Sequence, residues 1–165
     1  MSRPIQPVLY VEDDDNDVFL MKRAFRRLAI AMPLEVVSDG KLAIAYLSGT
    51  GPYQDRERYP VPRVVLLDLS LPGRHGLDVL QWIRHEAGLA GVPVVVLSSS
   101  NQQRDVQRAY LLGADGYLLK PGDPDELLRI VRRVQGYWLV EDRPVGTFVE
   151  FAADVVVPPP AVQGP

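Results

Sequence analysis

Val64-Val65-Leu66-Leu67-Asp68 is a run of four apolar residues that ends on a carboxylate. A short, fully apolar run of this kind is typical of a strand in a parallel sheet that helices cover on both faces. Four further short runs predict strands, at residues 8–11, 34–37, 94–97 and 117–119. Helix-period segments alternate with these runs, so the sequence predicts an α/β fold with a five-stranded, parallel, doubly wound sheet.

Capping residues support the predicted helices. After the first strand, apolar residues recur with 3-4-3 spacing, which predicts one face of a helix through Val18, Met21, Phe25 and Leu28. Either Asp14 or Asp15 is expected to cap that helix. The clearest start is Asp123 followed by Pro124, because aspartate is a good N-cap and proline suits the first helical position. This last helix is expected to end near Gly136.

Composition narrows the class of protein. The chain has 165 residues, which predicts one domain, and it has no cysteine, which excludes disulfides and thiolate chemistry. Its formal net charge of −3 provides no overall basic field for DNA. No apolar run approaches the roughly 20 residues of a membrane helix. We therefore expect a cytoplasmic protein that binds neither DNA nor membrane.

Polar residues follow the predicted strands at the point where each strand ends. Glu12 and Asp13 follow the first, Asp68 the third, Ser98 the fourth and Lys120 the fifth. The carboxyl ends of parallel strands share one edge, and ligands bind where the strand order reverses. Residues far apart in sequence are therefore predicted to form one site.

The residue types at this edge favour phosphoryl transfer. Clustered carboxylates repel one another and need a cation, and oxygen ligands without His or Cys favour Mg²⁺ or a similar hard cation. Lys120 can bind a phosphate oxygen, and the Ser98 hydroxyl can donate to another. One carboxylate remains as a nucleophile able to form an acyl phosphate.

These segments resemble the response-regulator receiver family, typified by CheY, whose fold is flavodoxin-like. The residues that carry the resemblance are Glu12-Asp13, Leu67-Asp68-Leu69-Ser70-Leu71-Pro72-Gly73, Ser98 and Tyr117-Leu118-Leu119-Lys120-Pro121. The match covers residues 5–138, with the family's markers in order. It implies that Asp68 accepts a phosphoryl group from a sensor histidine kinase. Such a protein is not an enzyme, since it assists only its own phosphorylation and dephosphorylation.

The resemblance also assigns roles around Asp68. It implies that Glu12, Asp13, Asp68 and the main-chain carbonyl of Ser70 hold Mg²⁺, and that Lys120 contacts the acyl phosphate.

Two further residues are implied as the switch, with Ser98 supplying the hydroxyl that moves toward the phosphoryl group and Tyr117 the aromatic ring that follows. Serine stands here where threonine is commoner in the family. The Lys120–Pro121 peptide bond is expected to be cis.

Several features look more narrowly like the stand-alone regulators that partner bacterial phytochrome kinases. They are the loop before Pro62-Arg63, the run from Val94 to Ser100, the helix end at Tyr137-Trp138 and the short tail. A bacteriophytochrome kinase is therefore the expected partner.

Other functions compete with the receiver. A Mg²⁺-dependent phosphohydrolase would want a second carboxylate two residues after Asp68, where this chain has Ser70. A flavodoxin-like nucleotide binder would want a phosphate-binding loop after the first strand, where this chain has Glu12-Asp13-Asp14-Asp15. A degenerate receiver that acts only as a protein-binding module is the remaining alternative.

Residues 139–165 form a tail of different character. Residues 147–151 alternate apolar and polar side chains, residues 155–157 are all valine, and three prolines follow. The pattern predicts an extended arm that packs on a second copy in a homodimer, the alternative being a terminus that lies on its own domain. The tail is too short for a DNA-binding domain. Output is expected through protein contact, dimer formation or a second phosphotransfer protein.

Overall fold

The structure is a computed structural model that describes residues 5–72 and 75–161. Its elements are β1 (Val8–Val11), α1 (Asp15–Arg27), β2 (Leu34–Val37), α2 (Gly40–Ser48), a 3-10 turn (Gly51–Tyr53), β3 (Val64–Leu67), α3 (Gly76–His85), β4 (Val94–Ser98), α4 (Gln103–Leu111), β5 (Gly116–Leu119), α5 (Pro124–Trp138) and α6 (Phe148–Phe151). Within the described ranges, no helix is long and apolar enough to cross a membrane.

The five strands form one parallel sheet in the order β2-β1-β3-β4-β5, which confirms the predicted fold class. The chain runs from β1 to β2 on one side and then returns to place β3 on the other side. The order therefore reverses between β1 and β3. Val11 is in register with Leu67, so the residues that follow these two strands lie side by side at the carboxyl edge.

Apolar side chains cover both faces of the sheet. Strand residues alternate between two cores: Val8 and Tyr10 of β1 face the side of α1 and α5, whereas Leu9 and Val11 face the side of α2, α3 and α4. Burial on both faces is the reason that these strands contain almost no polar residue.

The predicted capping residues have the expected roles. The side chain of Asp14 accepts the backbone N–H of Asp17 and begins α1, and that of Asp123 accepts the N–H of Asp125 and begins α5. The last helix continues to Trp138, two residues beyond the expected end at Gly136.

The expectation of a cis Lys120–Pro121 bond is wrong, because none of the peptide bonds in residues 5–72 and 75–161 is cis. The trans form of an X–Pro bond is favoured by about 0.5–1 kcal/mol. With the bond in the trans form, the Lys120 ammonium reaches the carboxylates of Glu12, Asp17 and Asp68. These contacts therefore do not require the cis form.

The expectation of an extended conformation over residues 147–151 is also wrong, because Phe148–Phe151 is a short helix. Thr147 and Glu150 form a capping box, in which each side chain accepts the backbone N–H of the other residue. The Thr-x-x-Glu spacing competes with the apolar–polar alternation and prevails, since it satisfies two N–H donors at once.

The tail packs its apolar side chains on the core formed by α1 and α5. Phe148, Ala152 and Val156 are all buried there. Val156 forms one antiparallel bridge with Leu118 of β5. This bridge joins the tail to the edge of its own sheet.

Polar contacts fix the same segment. Asp154 accepts hydrogen bonds from Arg129 and Arg133 of α5, and the two guanidinium groups lower the pKa of its carboxyl, Arg133 more than Arg129. The backbone N–H of Val157 donates to the carbonyl of Tyr117 over 2.8 Å. The tail is therefore attached to both α5 and β5.

Candidate functional site

Three acidic side chains meet at the carboxyl edge of the sheet, at the point where the strand order reverses. Glu12 and Asp13 follow β1, Asp68 follows β3, and one carboxylate oxygen of each lies within 4.8 Å of the others. Glu12 and Asp68 are buried, whereas Asp13 is exposed. Three oxygen donors at this spacing, one of them open to solvent, fit a hard divalent cation.

Glu12 is held firmly from several sides. The Tyr10 hydroxyl donates to its carboxylate over 3.3 Å, and the backbone N–H groups of Asp13 and Asp14 donate over 3.1 and 3.3 Å. Burial raises the pKa of Glu12 to about 7, an effect that Lys120 opposes and Asp68 reinforces. Glu12 therefore holds a proton more tightly than an exposed glutamate does.

Lys120 lies against the same carboxylates. Its Nζ is 3.3 Å from Asp68 Oδ2 and 3.0 Å from Asp17 Oδ2, and it also contacts Glu12 Oε1. Burial alone would lower the pKa of this ammonium, but the surrounding carboxylates outweigh burial and raise it above its ordinary value. The side chain thus provides a permanent positive charge beside Asp68.

Asp17 and Tyr10 contact the site and were missed by sequence reasoning. Tyr10 stands two residues before Glu12, so strand geometry places both on one face, and that spacing was a usable signal. Asp17 is in the first turn of α1, where an acidic residue is ordinary. Its contact with Lys120 joins residues 103 positions apart, and no local pattern reports such a contact.

The backbone around Asp68 is tightly packed. The N–H of Ser70 donates to Asp68 Oδ1 over 3.2 Å. At Gly76, the first residue of α3, an added Cβ would lie 2.3 Å from the Asp68 carbonyl oxygen, so only glycine permits this approach. The expected metal contact of the Ser70 carbonyl stays a prediction, and Gly73 lies outside the described residues.

The two expected switch residues converge on Ser100. Ser98 is buried and its Oγ accepts the N–H of Ser100 over 3.1 Å. The Tyr117 hydroxyl donates to the Ser100 carbonyl over 2.8 Å. The structure therefore links Ser98 and Tyr117 through one intervening residue, and their roles as a switch stay predictions.

A family model described as the response regulator receiver domain matches residues 8–132. The chain belongs to the response regulator receiver family. Proteins of this family are regulators that take part in two-component signalling and are not generally catalytic enzymes. The buried Asp68, the carboxylate cluster and Lys120 thus lie in a receiver domain.

Known relatives of this receiver cover most of its length. It is 38% identical to the probable methanogenesis regulatory protein FilR2 of Methanothrix harundinacea, over 84% of this chain and 87% of that protein. It is 35% identical to the response regulator Rcp1 of Synechocystis, over 84% of this chain and 92% of Rcp1.

Two crystal structures are similar in fold and sequence. The Mn²⁺-bound form of Rcp1 matches with a TM-score of 0.75 and 33% identity, covering 85% of this chain and 99% of Rcp1. The phosphorylated cyanobacterial phytochrome response regulator RcpA matches with a TM-score of 0.77 and 31% identity, covering 86% of this chain and 99% of RcpA. The receiver therefore resembles RcpA, a phytochrome response regulator, and Rcp1, a response regulator determined with a divalent metal bound.

Proposed function

We propose that this receiver is a single-domain response regulator that accepts a phosphoryl group on Asp68 from a histidine kinase, with Mg²⁺. The observation that carries the proposal is the position of Asp68, whose carboxylate lies between the cluster of Glu12 and Asp13 and the ammonium of Lys120. A nucleophile, a cation site and a fixed positive charge are the three parts that phosphoryl transfer requires.

The chemistry follows from these positions. An oxygen of Asp68 attacks the phosphorus of a phosphohistidine, the O–P bond forms as the N–P bond breaks, and the electron pair returns to the imidazole nitrogen. Lys120 offers an N–H to a phosphoryl oxygen beside Asp68 Oδ2. Mg²⁺ held by Glu12, Asp13 and Asp68 would neutralise charge on the transferred group.

A bacteriophytochrome is the proposed kinase. The support comes from RcpA, which is a phytochrome response regulator by name. FilR2 is at least as similar in sequence and has a different named role, so the kinase must be identified directly. Phosphotransfer from a phytochrome kinase, compared with kinases of other classes at equal concentration, separates these partners. The reaction is proposed to occur in the cytoplasm, with a downstream phosphotransfer protein as one route of output.

Labelling with acetyl phosphate tests the acceptor. The wild-type protein is expected to take up one phosphoryl group per chain with Mg²⁺ and none with a chelator. Asp68→Asn should abolish labelling, and Asp78→Asn, which removes an exposed aspartate of α3, should not. Equal labelling of Asp68→Asn would refute the assignment.

The same assay separates the two alternatives. Release of many phosphates per chain from an added phosphate monoester, which is not an acyl phosphate, would favour a phosphohydrolase. A well-folded protein that is never labelled would favour a binding module.

We also propose a homodimer. Residues 139–146 connect α5 to α6, and the contacts that Phe148, Ala152 and Val156 make within one chain could be exchanged with a second copy, as in domain swapping. The mass of the full chain and of a chain that ends at Leu139 should be compared in solution. A full chain that is monomeric at tens of micromolar would contradict the exchange.

A further inference from the structure

The Lys120 ammonium has three N–H groups, and three carboxylates surround it: those of Glu12, Asp17 and Asp68. Glu12 and Asp68 are already accounted for by the cation cluster. Asp17 is outside that cluster, so cation binding does not account for its contact with Lys120.

The place of Asp17 in the fold is distinctive. It lies in the first turn of α1, and its backbone N–H donates to Asp14 Oδ1, so the helix end is capped without help from its side chain. The Asp17 carboxylate instead reaches across to Lys120, at the end of β5, over 3.0 Å. Its side chain is one third exposed and that of Lys120 is mostly buried. The contact therefore holds the ammonium from the solvent side.

We propose that Asp17 is a positioning residue that restrains Lys120 and competes with the phosphoryl group for it. The inference rests on the proposed phosphorylation of Asp68. A phosphoryl group on Asp68 adds oxygens beside Oδ2, which is the atom that Lys120 contacts at 3.3 Å. Those oxygens must draw the ammonium toward themselves, while the negative charge of Asp17 draws it back and also repels the phosphoryl group.

The competition has a direction that structural damage would not reproduce. If the charge of Asp17 is removed, the ammonium is freer to turn to an anion at Asp68, and one source of repulsion is lost. Anion binding should then become tighter. A substitution that merely disturbed α1 would weaken binding instead.

NMR signals of the lysine side chains measure the restraint directly. The chain has only three lysines, Lys22, Lys41 and Lys120, and the first two are exposed on α1 and α2. Lysine labelled with ¹³C at Cε and ¹⁵N at Nζ should give three signals in the metal-free protein. Asp17→Asn is expected to shift the Lys120 signal alone.

The matched control is Asp15→Asn. It removes an equal charge from the same turn of α1, at an exposed side chain, and should leave all three lysine signals in place. Asp17→Glu keeps the charge and should resemble the wild type. A Lys120 signal that Asp17→Asn leaves unchanged overturns the proposal.

Beryllofluoride, a mimic of the phosphoryl group, tests the competition by calorimetry at saturating Mg²⁺. Asp17→Asn is expected to bind it about threefold more tightly or better, since one nearby negative charge is gone. Asp15→Asn and Asp17→Glu should match the wild type. Equal or weaker binding by Asp17→Asn overturns the proposal.

Failure of the proposed function has a different signature. A wild-type protein that binds no beryllofluoride contradicts phosphorylation of Asp68 itself and, with it, the competition. If the wild type binds and Asp17→Asn shows no gain, phosphorylation stands and the restraint fails.

Discussion

The ring of Phe148 occupies the space where a side chain at Gly116 would be: a Cβ added there would lie 2.8 Å from Phe148 Cδ1. Gly116 begins β5, and Phe148 begins α6 in the tail. The absence of a side chain on the strand therefore makes room for an aromatic ring 32 positions later in the chain.

The ring of Phe148 is expected to stabilise the whole domain. It is buried against Tyr137 and Trp138, so Phe148→Ala should lower the free energy of unfolding by about 3 kcal/mol or more, measured with urea. Val145→Ala, at a fully exposed residue of the same tail, should change it little. Equal stability of the two variants would show that the tail does not pack as described.

The close approach at Gly116 should appear as coupling between two substitutions. Gly116→Ala is expected to be destabilising in the wild type, since the new Cβ overlaps the ring of Phe148. In a Phe148→Ala background the same change should cost less, because the overlapping ring is gone. Additive effects in this double-mutant cycle would contradict the contact.

Loss of the Lys120 charge should impair phosphorylation and spare the fold. With Mg²⁺ present, Lys120→Ala is expected to keep its circular dichroism spectrum and to react with acetyl phosphate at least about tenfold more slowly. Lys41→Ala, at an exposed lysine of α2, is the control and should react normally. A normal rate for Lys120→Ala would remove its proposed role.

The raised pKa of Glu12 predicts that Mg²⁺ affinity depends on pH. The cation needs the ionised carboxylate, so below about pH 7 it must displace a proton, and the affinity should fall as the pH falls. The slope should approach about tenfold per pH unit at lower pH and vanish above the pKa. Glu12→Gln should bind more weakly at every pH and lack this step near 7.

The raised pKa of Glu12 also predicts that the free energy of unfolding of the metal-free protein falls as the pH rises, which is opposite to the trend in Mg²⁺ affinity. The folded protein binds the proton of Glu12 more tightly than the unfolded chain does. Its contribution to the free energy of unfolding is therefore fully present below pH 4.5 and is lost as the pH rises through about 7. The difference in unfolding free energy between wild type and Glu12→Gln, measured in chelator from pH 4 to 8, isolates this contribution. A difference that does not change with pH would contradict the shift.

The hydrogen bond between Tyr117 and Ser100 predicts a modest effect. Tyr117→Phe keeps the buried ring and removes only the hydroxyl, so the free energy of unfolding should fall by about 1 kcal/mol. Labelling of Asp68 should persist, because the hydroxyl contacts the Ser100 backbone and not the carboxylates. Loss of labelling would place Tyr117 closer to the chemistry than the structure does.

The sheet was predictable from the sequence, and so was the site at its edge. Parallel strands place their carboxyl ends at one edge regardless of loop conformation, and this brings together Glu12, Asp13, Asp68 and Lys120. The sequence could not show that Asp17 joins them, since that contact depends on how α1 lies beside β5. The tail was misread for a different reason. Alternation over residues 147–151 suggested an extended segment, and the Thr147–Glu150 capping box that overrides it was overlooked.

The bridge between Val156 and Leu118 also bears on how the chain avoids unwanted association. β5 is an outer strand, and an outer strand with free N–H and C=O groups is a template on which another polypeptide can pair. The tail occupies part of that template, and Pro158, Pro159 and Pro160, which follow it, have no N–H with which to extend a ladder. The tail thus covers part of this edge without offering a new edge in its place.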